Sequence, residues 1–235
     1  MSIAASDVNK TGWNPVWEEN VYSRGRHLNL YPYHAVVGFL LGKYGQTPNR
    51  TDIRVLELGF GAGNNLWFAA REGFSVAGVE GSRTAVEFAR RRFRQEGLEG
   101  DLRLGTFAEL DWPDESVDVV IDRASLSQST YPVIEAALAE SQRVLKPDGR
   151  LLSVIYSHAH PGRRFGECRG QNDYDKFSGG YFQGLGTAHF ADRSEICELF
   201  GSRFEITALV HTHEDDMLDN VTPVNAFWRV ECVKN

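Results

Sequence analysis

The run VLELGFGAGNN at Val55–Asn65 constrains this chain more than any other feature. An apolar, strand-like stretch, IRVLEL, leads straight into three glycines at alternate positions, Gly59, Gly61 and Gly63. A helical stretch, NNLWFAAREG, follows and ends at Gly73. Closely spaced glycines let a backbone turn tightly and approach a ligand, because no Cβ forbids left-handed conformations or fills the space. The helix that opens near Gly63 would aim its unbonded N–H groups at the same place. A strand–turn–helix junction of this kind belongs at the carboxyl edge of a parallel sheet, where open α/β folds bind nucleotides.

The pattern after this junction repeats its logic. FSVAGVE reads as a second strand and SRTAVEFARRRFRQEG as an amphipathic helix with Ala85, Phe88, Ala89 and Phe93 along one side. The Arg90–Arg92 run is expected on its solvated face. DLRLG and VDVVID (Val117–Asp122) are the third and fourth strands. YPVIEAALAESQRVL is a helix stopped by KPDG, where Pro147 and Gly149 break it, and RLLSVIYS is the fifth strand. Strands alternating with helices imply crossover units and a mostly parallel sheet covered on both faces. Near the C-terminus, Asp192 and Glu195 form a capping-box pattern ahead of a helix in DRSEICELFG. FEITALVHTH and VNAFWRVECVKN then read as an antiparallel edge hairpin joined by the polar EDDMLDNVTP.

Two segments fall outside this alternation. Residues 1–12 are polar and expected to fray. Residues 13–34 gather Trp13, Trp17, Tyr22, Tyr31 and Tyr33 among charges, as a helix and loop that either cover one end of the core or form a lid over a ligand. AVVGFLLGKY is a buried helix. After Ser157 comes HAHPGRRFGECRGQNDYDKFSGGYFQGLGTAHF, rich in glycine, polar and aromatic residues and too long for an ordinary connection. The expected organisation is one domain, with an N-terminal aromatic helix or lid (1–45), a nucleotide-binding core (46–157), a substrate-side insert (158–192) and a C-terminal helix and hairpin (193–235).

The nucleotide can be narrowed. Glu80, at the end of the second strand, lies 21 residues after Gly59, close to the ~20-residue offset of an acid that accepts hydrogen bonds from ribose hydroxyls. A dinucleotide fingerprint requires G-x-G-x-x-G, and neither G-F-G-A-G-N nor G-A-G-N-N-L supplies the last glycine. The Gly-Lys-Ser/Thr of a Walker A loop is absent too.

E-L-G-x-G-x-G resembles motif I of the class I S-adenosylmethionine (SAM)-dependent methyltransferases, and the resemblance continues in order. VEGS is similar to the family's ribose-binding acidic motif. LGTFAELDWPDESVDVVIDRASL is similar to the stretch from adenine pocket to fourth strand. RVLKPDGRLLSV resembles the "LKPGG" turn and fifth strand, with Asp148 where the family has glycine. DRASL also resembles the DRG-x-L of thiopurine-type small-molecule methyltransferases. The resemblance spans roughly residues 53–156. It implies a Rossmann-like, mostly parallel seven-stranded sheet with helices on both faces and a C-terminal antiparallel hairpin. It also implies SAM as cofactor. Glu57, Gly59, Phe60, Gly61, Gly63 and Asn64 would surround its methionine part, and Glu80 its ribose hydroxyls, with Gly81 and Ser82 beside the adenosine. Thr106 and Phe107 would line the adenine pocket, although the family often places an aspartate where Thr106 stands. Asp122, Arg123 and Ala124 would lie near the amino-acid end and the methyl group.

Methyl transfer from a sulfonium is a displacement that mainly needs alignment and exclusion of water, helped by a base when the acceptor carries a proton. The candidates are His158, just past the fifth strand, then His160, His189 and Asp122. Tyr22, Tyr31, His158, Tyr181 and His189 are the candidate substrate residues, with Phe182 and Phe190 as further pocket walls. His211, His213, Glu214, Asp215 and Asp216 fall at a strand end and turn, where charges are ordinary, and no metal site is expected. The net charge of −7 and the missing N/D-PP-Y/F motif point away from nucleic acid and towards a small-molecule acceptor. No run approaches the ~18 apolar residues of a membrane span, MSIAASDVNKTGW has no leader pattern, and the three cysteines form no CxxC pair. A cytoplasmic protein is expected. Two alternatives remain, a nicotinamide-dependent oxidoreductase on a similar sheet and a non-catalytic SAM-binding regulator. The first would call for a third fingerprint glycine and a Tyr-x-x-x-Lys pair, and neither is present.

Overall fold

The computed structural model describes residues 13–218 and 222–235. The expected fraying of residues 1–12 lies outside these residues, as does the middle of the hairpin connection. Seven strands form one sheet: β1 (Arg54–Leu58), β2 (Ser75–Glu80), β3 (Asp101–Leu104), β4 (Val117–Arg123), β5 (Leu145–Tyr156), β9 (Phe204–Asp216) and β10 (Thr222–Lys234). Their order is β3-β2-β1-β4-β5-β10-β9. The strands from β3 to β5 pair in parallel, and β10 runs antiparallel to both β5 and β9. The fold is therefore the Rossmann-like sheet with a C-terminal antiparallel hairpin. Chain order reverses between β1 and β4, and that switch point is where crossover loops diverge and leave a crevice.

Helices α1 (His34–Tyr44), α2 (Asn64–Arg71) and α3 (Arg83–Glu96) pack on one face through Leu40, Leu66, Ala69, Val86 and Phe93. Helices α4 (Tyr131–Val144) and α5 (Arg193–Gly201) cover the other through Ile134, Leu138, Ile196 and Phe200. Helix α3 shows how local sequence fixes position. The Ser82 hydroxyl caps it by accepting from the Ala85 N–H at 3.1 Å, and Gly97, at φ 65°, ends it. Its buried stripe is Ala85, Val86, Ala89 and Phe93; Phe88 sits at the edge, beneath the Arg91 guanidinium. Arg90 and Arg92 are not merely solvated, since they donate to the Leu102 and Leu30 carbonyls. Asp192 caps α5 by accepting from the Glu195 N–H at 3.0 Å.

Two boundaries differ from expectation. The fifth strand begins at Leu145, before KPDG, and runs through it, with a register shift against β4. Asp148 takes φ 61° there, a left-handed conformation that aspartate tolerates better than most side chains. The hairpin strands also extend through EDD on one side and from Thr222 on the other, because cross-strand pairing continues beyond the apolar residues. The insert after Ser157 has its own small sheet of β6 (Glu167–Gly170), β7 (Asp173–Asp175) and β8 (Ala188–His189). It is held by an aromatic cluster of Tyr156, Tyr174, Phe177, Phe182 and Phe190. Among the described residues, no helix is long and apolar enough to cross a membrane.

Candidate active site

A cleft opens at the carboxyl ends of β1, β2, β4 and β5. Its floor is the glycine turn. Gly59, Gly61 and Gly63 all have positive φ, at 62°, 54° and 74°. A Cβ at Gly59 would lie 2.5 Å from the Ser125 hydroxyl, and one at Gly63 2.8 Å from Ala89. The first two glycines line the cleft, and the third serves the close packing of α2 on α3.

Two buried carboxylates flank the turn. Glu80 accepts the Gly61 N–H at 2.9 Å and the Ser82 N–H at 2.8 Å, so it braces the glycine turn against the start of α3. Its pKa is raised because burial outweighs those hydrogen bonds. Glu57 accepts from the Asn65 amide at 2.6 Å with Oε1, while Oε2 is buried without a partner. Desolvation, reinforced by Asp122 and Glu80, pushes its pKa up to about 8 against the opposing effects of Asn65 and Arg123.

The aromatic N-terminal segment closes over this floor. Trp13 lies so near Gly81 that a Cβ there would overlap the indole, and the Tyr22 hydroxyl sits over Gly61. Glu18 clamps the segment down by accepting from the Ser82 and Thr84 hydroxyls and from the Thr84 N–H. Burial opposes ionisation of Glu18, but these hydrogen bonds prevail and its pKa is lowered. The Tyr31 carbonyl accepts from Asn64 and the Tyr33 N–H donates to Asn65, which ties the end of the segment to the first turn of α2.

Of the residues expected around the cofactor, Glu57, Gly59, Phe60, Gly61, Asn64, Glu80, Gly81, Thr106, Phe107, Arg123 and Ala124 line the cleft. Three do not. Gly63 is a packing position, and Ser82 is the helix cap and partner of Glu18. Asp122 is fully buried, and both its oxygens are engaged. Oδ1 accepts the Ser125 and Leu126 N–H groups at 2.8 and 3.1 Å, and Oδ2 accepts the Ser153 hydroxyl at 2.6 Å. Desolvation raises its pKa to about 6. It holds the loop that carries Arg123 and Ala124, the latter at φ 62°, and is not available as a base.

Tyr22 and Tyr181 line the cleft as expected, but Tyr31, His158 and His189 do not. Tyr31 points to solvent at 75% exposure, and Tyr33 takes the position in the cleft. His189 is completely buried between Asp173 (2.8 Å) and Glu195 (3.4 Å). Desolvation works against its charged form, yet the two carboxylates prevail and its pKa is raised. Asp173 also accepts the Tyr131 N–H, so the pair fastens the insert to α4 and α5. His160 is buried against Tyr156, Phe182 and Phe190, and burial lowers its pKa to about 4. His211 accepts or donates at Ser157 Oγ (2.6 Å) and stacks on Trp228. No group of three or more potential metal ligands occurs among the described residues.

Trp13, Trp17, His27, Asn29, Gln128, Ser129 and Tyr156 also line the cleft. The carboxyl-edge rule that selected His158 applied equally to Tyr156, two residues earlier. His27 gave no sequence signal. It lies at φ 55°, edge-on to the Trp17 and Tyr181 rings at 6.0 Å each. Partial burial, aided by Arg26, lowers its pKa below the ordinary histidine value.

Residues 55–149 match the family model described as "Methyltransferase domain". They form a class I, SAM-dependent methyltransferase domain. The uncharacterized methyltransferase YcgJ of Bacillus subtilis is 32% identical over 106 residues, covering 45% of this chain and 41% of that protein. Demethylmenaquinone methyltransferase of Tropheryma whipplei is 34% identical over 112 residues, covering 47% and 44%. The matched stretch thus spans less than half of these relatives' length. Among solved structures, the 1,6-didemethyltoxoflavin-N1-methyltransferase of Burkholderia thailandensis superposes with a TM-score of 0.71 at 16% identity, covering 100% of this chain and 92% of that one. That likeness is one of fold.

The domain implies SAM, and the residues present fit it. Among the described residues, eight buried side-chain polar atoms have no hydrogen-bond partner. Four of them, Trp17 Nε1, Glu57 Oε2, Gln128 Oε1 and Ser129 Oγ, belong to residues lining this cleft. Buried polar atoms are normally satisfied, so their concentration here is that of a site built for a polar ligand. The two carboxylates beside the glycine turn suit a ligand that brings hydroxyl donors and positive charge.

Proposed function

We propose that this protein transfers a methyl group from SAM to an oxygen or nitrogen of a small molecule. The observation that carries the reading is the pair of buried carboxylates at the positive-φ glycine turn, with Glu57 Oε2 unpartnered. Bound SAM supplies a methyl group activated by its sulfonium. Glu80 would accept from the ribose hydroxyls, with Trp13, Gly81, Thr106 and Phe107 beside the adenosine. Glu57 and the turn through Asn64 would hold the methionine end.

Arg123, Gln128, Ser129, Tyr156 and Tyr181 form the acceptor's side. The closed aromatic segment excludes water and orients both partners, and alignment is where a displacement gains most. His27 is the only histidine lining the cleft among the described residues. Its lowered pKa leaves the ring neutral near pH 7, so it can take the proton that an O–H or N–H acceptor must lose. A small acceptor is supported by the covered cleft, the acidic net charge and the names of relatives such as the ubiquinone biosynthesis O-methyltransferase of Paramagnetospirillum magneticum. The three unpaired cysteines suit a reducing, cytoplasmic compartment.

Calorimetric titration with SAM and with NAD tests the cofactor, and NAD binding without SAM binding sinks the proposal. Transfer of labelled methyl groups from SAM across a metabolite panel then separates an enzyme from a SAM-binding regulator. With an acceptor in hand, His27→Gln should lower kcat, flatten the acidic limb of its pH profile and leave SAM affinity unchanged. A profile identical to wild type would remove His27 from the reaction.

A further inference from the structure

Arg123 stands out on the acceptor's side of the cleft. Its guanidinium lies 4.1 Å from the centre of the Tyr33 ring and 5.2 Å from that of Phe227. Among the described residues it has no hydrogen-bond or ion-pair partner, although all five of its N–H groups can donate. Most other arginines among the described residues donate to a carbonyl or a carboxylate, as Arg50, Arg54, Arg90, Arg103 and Arg143 do. The nearest acids do not answer it. Asp122 is saturated by Ser125, Leu126 and Ser153, and Glu57 faces Asn65. Two ring faces fix the guanidinium in place and leave its planar edge for a ligand.

Strand order indicates which ligand. Phe227 is on β10, two strands beyond β4, on the side away from β1 and β2. The guanidinium therefore reaches over the end of β5 towards the hairpin, while Tyr33, whose N–H donates to Asn65 at the first turn of α2, packs against it. The hydroxyl of Tyr156, which pairs with Phe227 across β5 and β10, and the buried, unpartnered Ser129 Oγ also lie on this side.

We propose that Arg123 is the anion anchor of the acceptor pocket, and that the acceptor is a planar aromatic molecule carrying a carboxylate. The inference rests on the SAM-dependent reading of the cleft. A carboxylate meets the guanidinium edge in a bidentate pair, a geometry that lysine cannot reproduce. The aromatic body lies among Tyr33, Tyr156 and Tyr181, which line the cleft, with a ring hydroxyl or amine towards the donor end.

The test uses the full chain saturated with S-adenosylhomocysteine. Benzoate, salicylate and anthranilate are titrated by calorimetry against benzamide, salicylamide and anthranilamide, which keep the shape and lose the charge. The acids should bind about tenfold or more tightly than their amides. Arg123→Met should abolish that preference, and Arg123→Lys should retain only part of it. S-adenosylhomocysteine affinity should change less than about threefold in both variants. Equal binding of acids and amides, or no binding of any acid, overturns the proposal and leaves the cofactor reading standing. A loss of S-adenosylhomocysteine affinity in Arg123→Met as large as the loss of acid affinity also overturns it, since the guanidinium would then serve the donor's own carboxylate. Failure of the wild-type protein to bind S-adenosylhomocysteine removes the reading on which the proposal rests.

Discussion

Binding of SAM should expel a proton from Glu57. Burial holds this carboxyl protonated up to about pH 8 in the free protein. A ligand that places a cationic group against the unpartnered Oε2 favours the charged carboxylate and drives its pKa down. Binding then releases a proton, and affinity rises with pH until the free-protein value is passed. If the bound carboxyl titrates below the range examined, the affinity scales inversely with 1 + 10^(8 − pH). Between pH 5.5 and 7 that is a gain of about 30-fold, with about 0.9 proton released at pH 7. The range should stop there, because an α-amino group on the ligand titrates near ~7.7–8.0 and would begin to offset the gain. Calorimetry with S-adenosylhomocysteine in two buffers of different ionisation enthalpy reads the proton count directly. Glu57→Gln should bind more weakly, show no buffer dependence from this site and lose most of the pH slope. A wild-type enthalpy that is the same in both buffers at pH 7 would falsify this account of Glu57.

Other consequences are as direct. Gly61→Ala places a Cβ 2.7 Å from the Tyr22 hydroxyl at φ 54°, so strain of about 1–3 kcal/mol should appear as weaker S-adenosylhomocysteine binding; unaltered affinity would mean that the turn does not meet the ligand. Glu18→Ala removes the clamp on Ser82 and Thr84 and should expose residues 13–31 to limited proteolysis, with protection restored by saturating ligand if the segment closes over it. His189→Ala leaves Asp173 and Glu195 facing each other in the core and should destabilise the fold by about 3–5 kcal/mol in denaturant titrations. Because the folded pKa of His189 is raised, its contribution is complete below the unfolded value of about 6.5 and is lost as pH rises through the folded value. Stability that shows no such decline above pH 6.5 would contradict the charged pairing.

Much of this protein could be read from residue order, because the determining interactions are local. The strand-then-glycine run at Val55–Gly63, Glu80 at its offset and the alternation through Tyr156 specify the parallel sheet, the ligand end of it and the cofactor class. Backbone conformation and strand ends are set by neighbours in sequence. Asp122 and His189 looked like chemistry for the same reason, as polar residues at strand ends and in a loop. Only packing revealed that Asp122 is consumed by its own turn and by Ser153, and that His189 is locked between Asp173 and Glu195.

The side of the cleft proposed for the acceptor was hidden for a complementary reason. His27 with Tyr33, Gln128, Tyr156 and Phe227 come from four separated stretches, and no spacing rule links them. Their meeting depends on how the N-terminal segment folds back over the carboxyl edge and how the hairpin adds β10 beside β5. Sequence alone thus determined the sheet and the glycine turn at its carboxyl edge, whose residues are contiguous. The tertiary structure decided which polar groups are free to act, since a side chain's availability depends on partners that the chain brings to it from a distance.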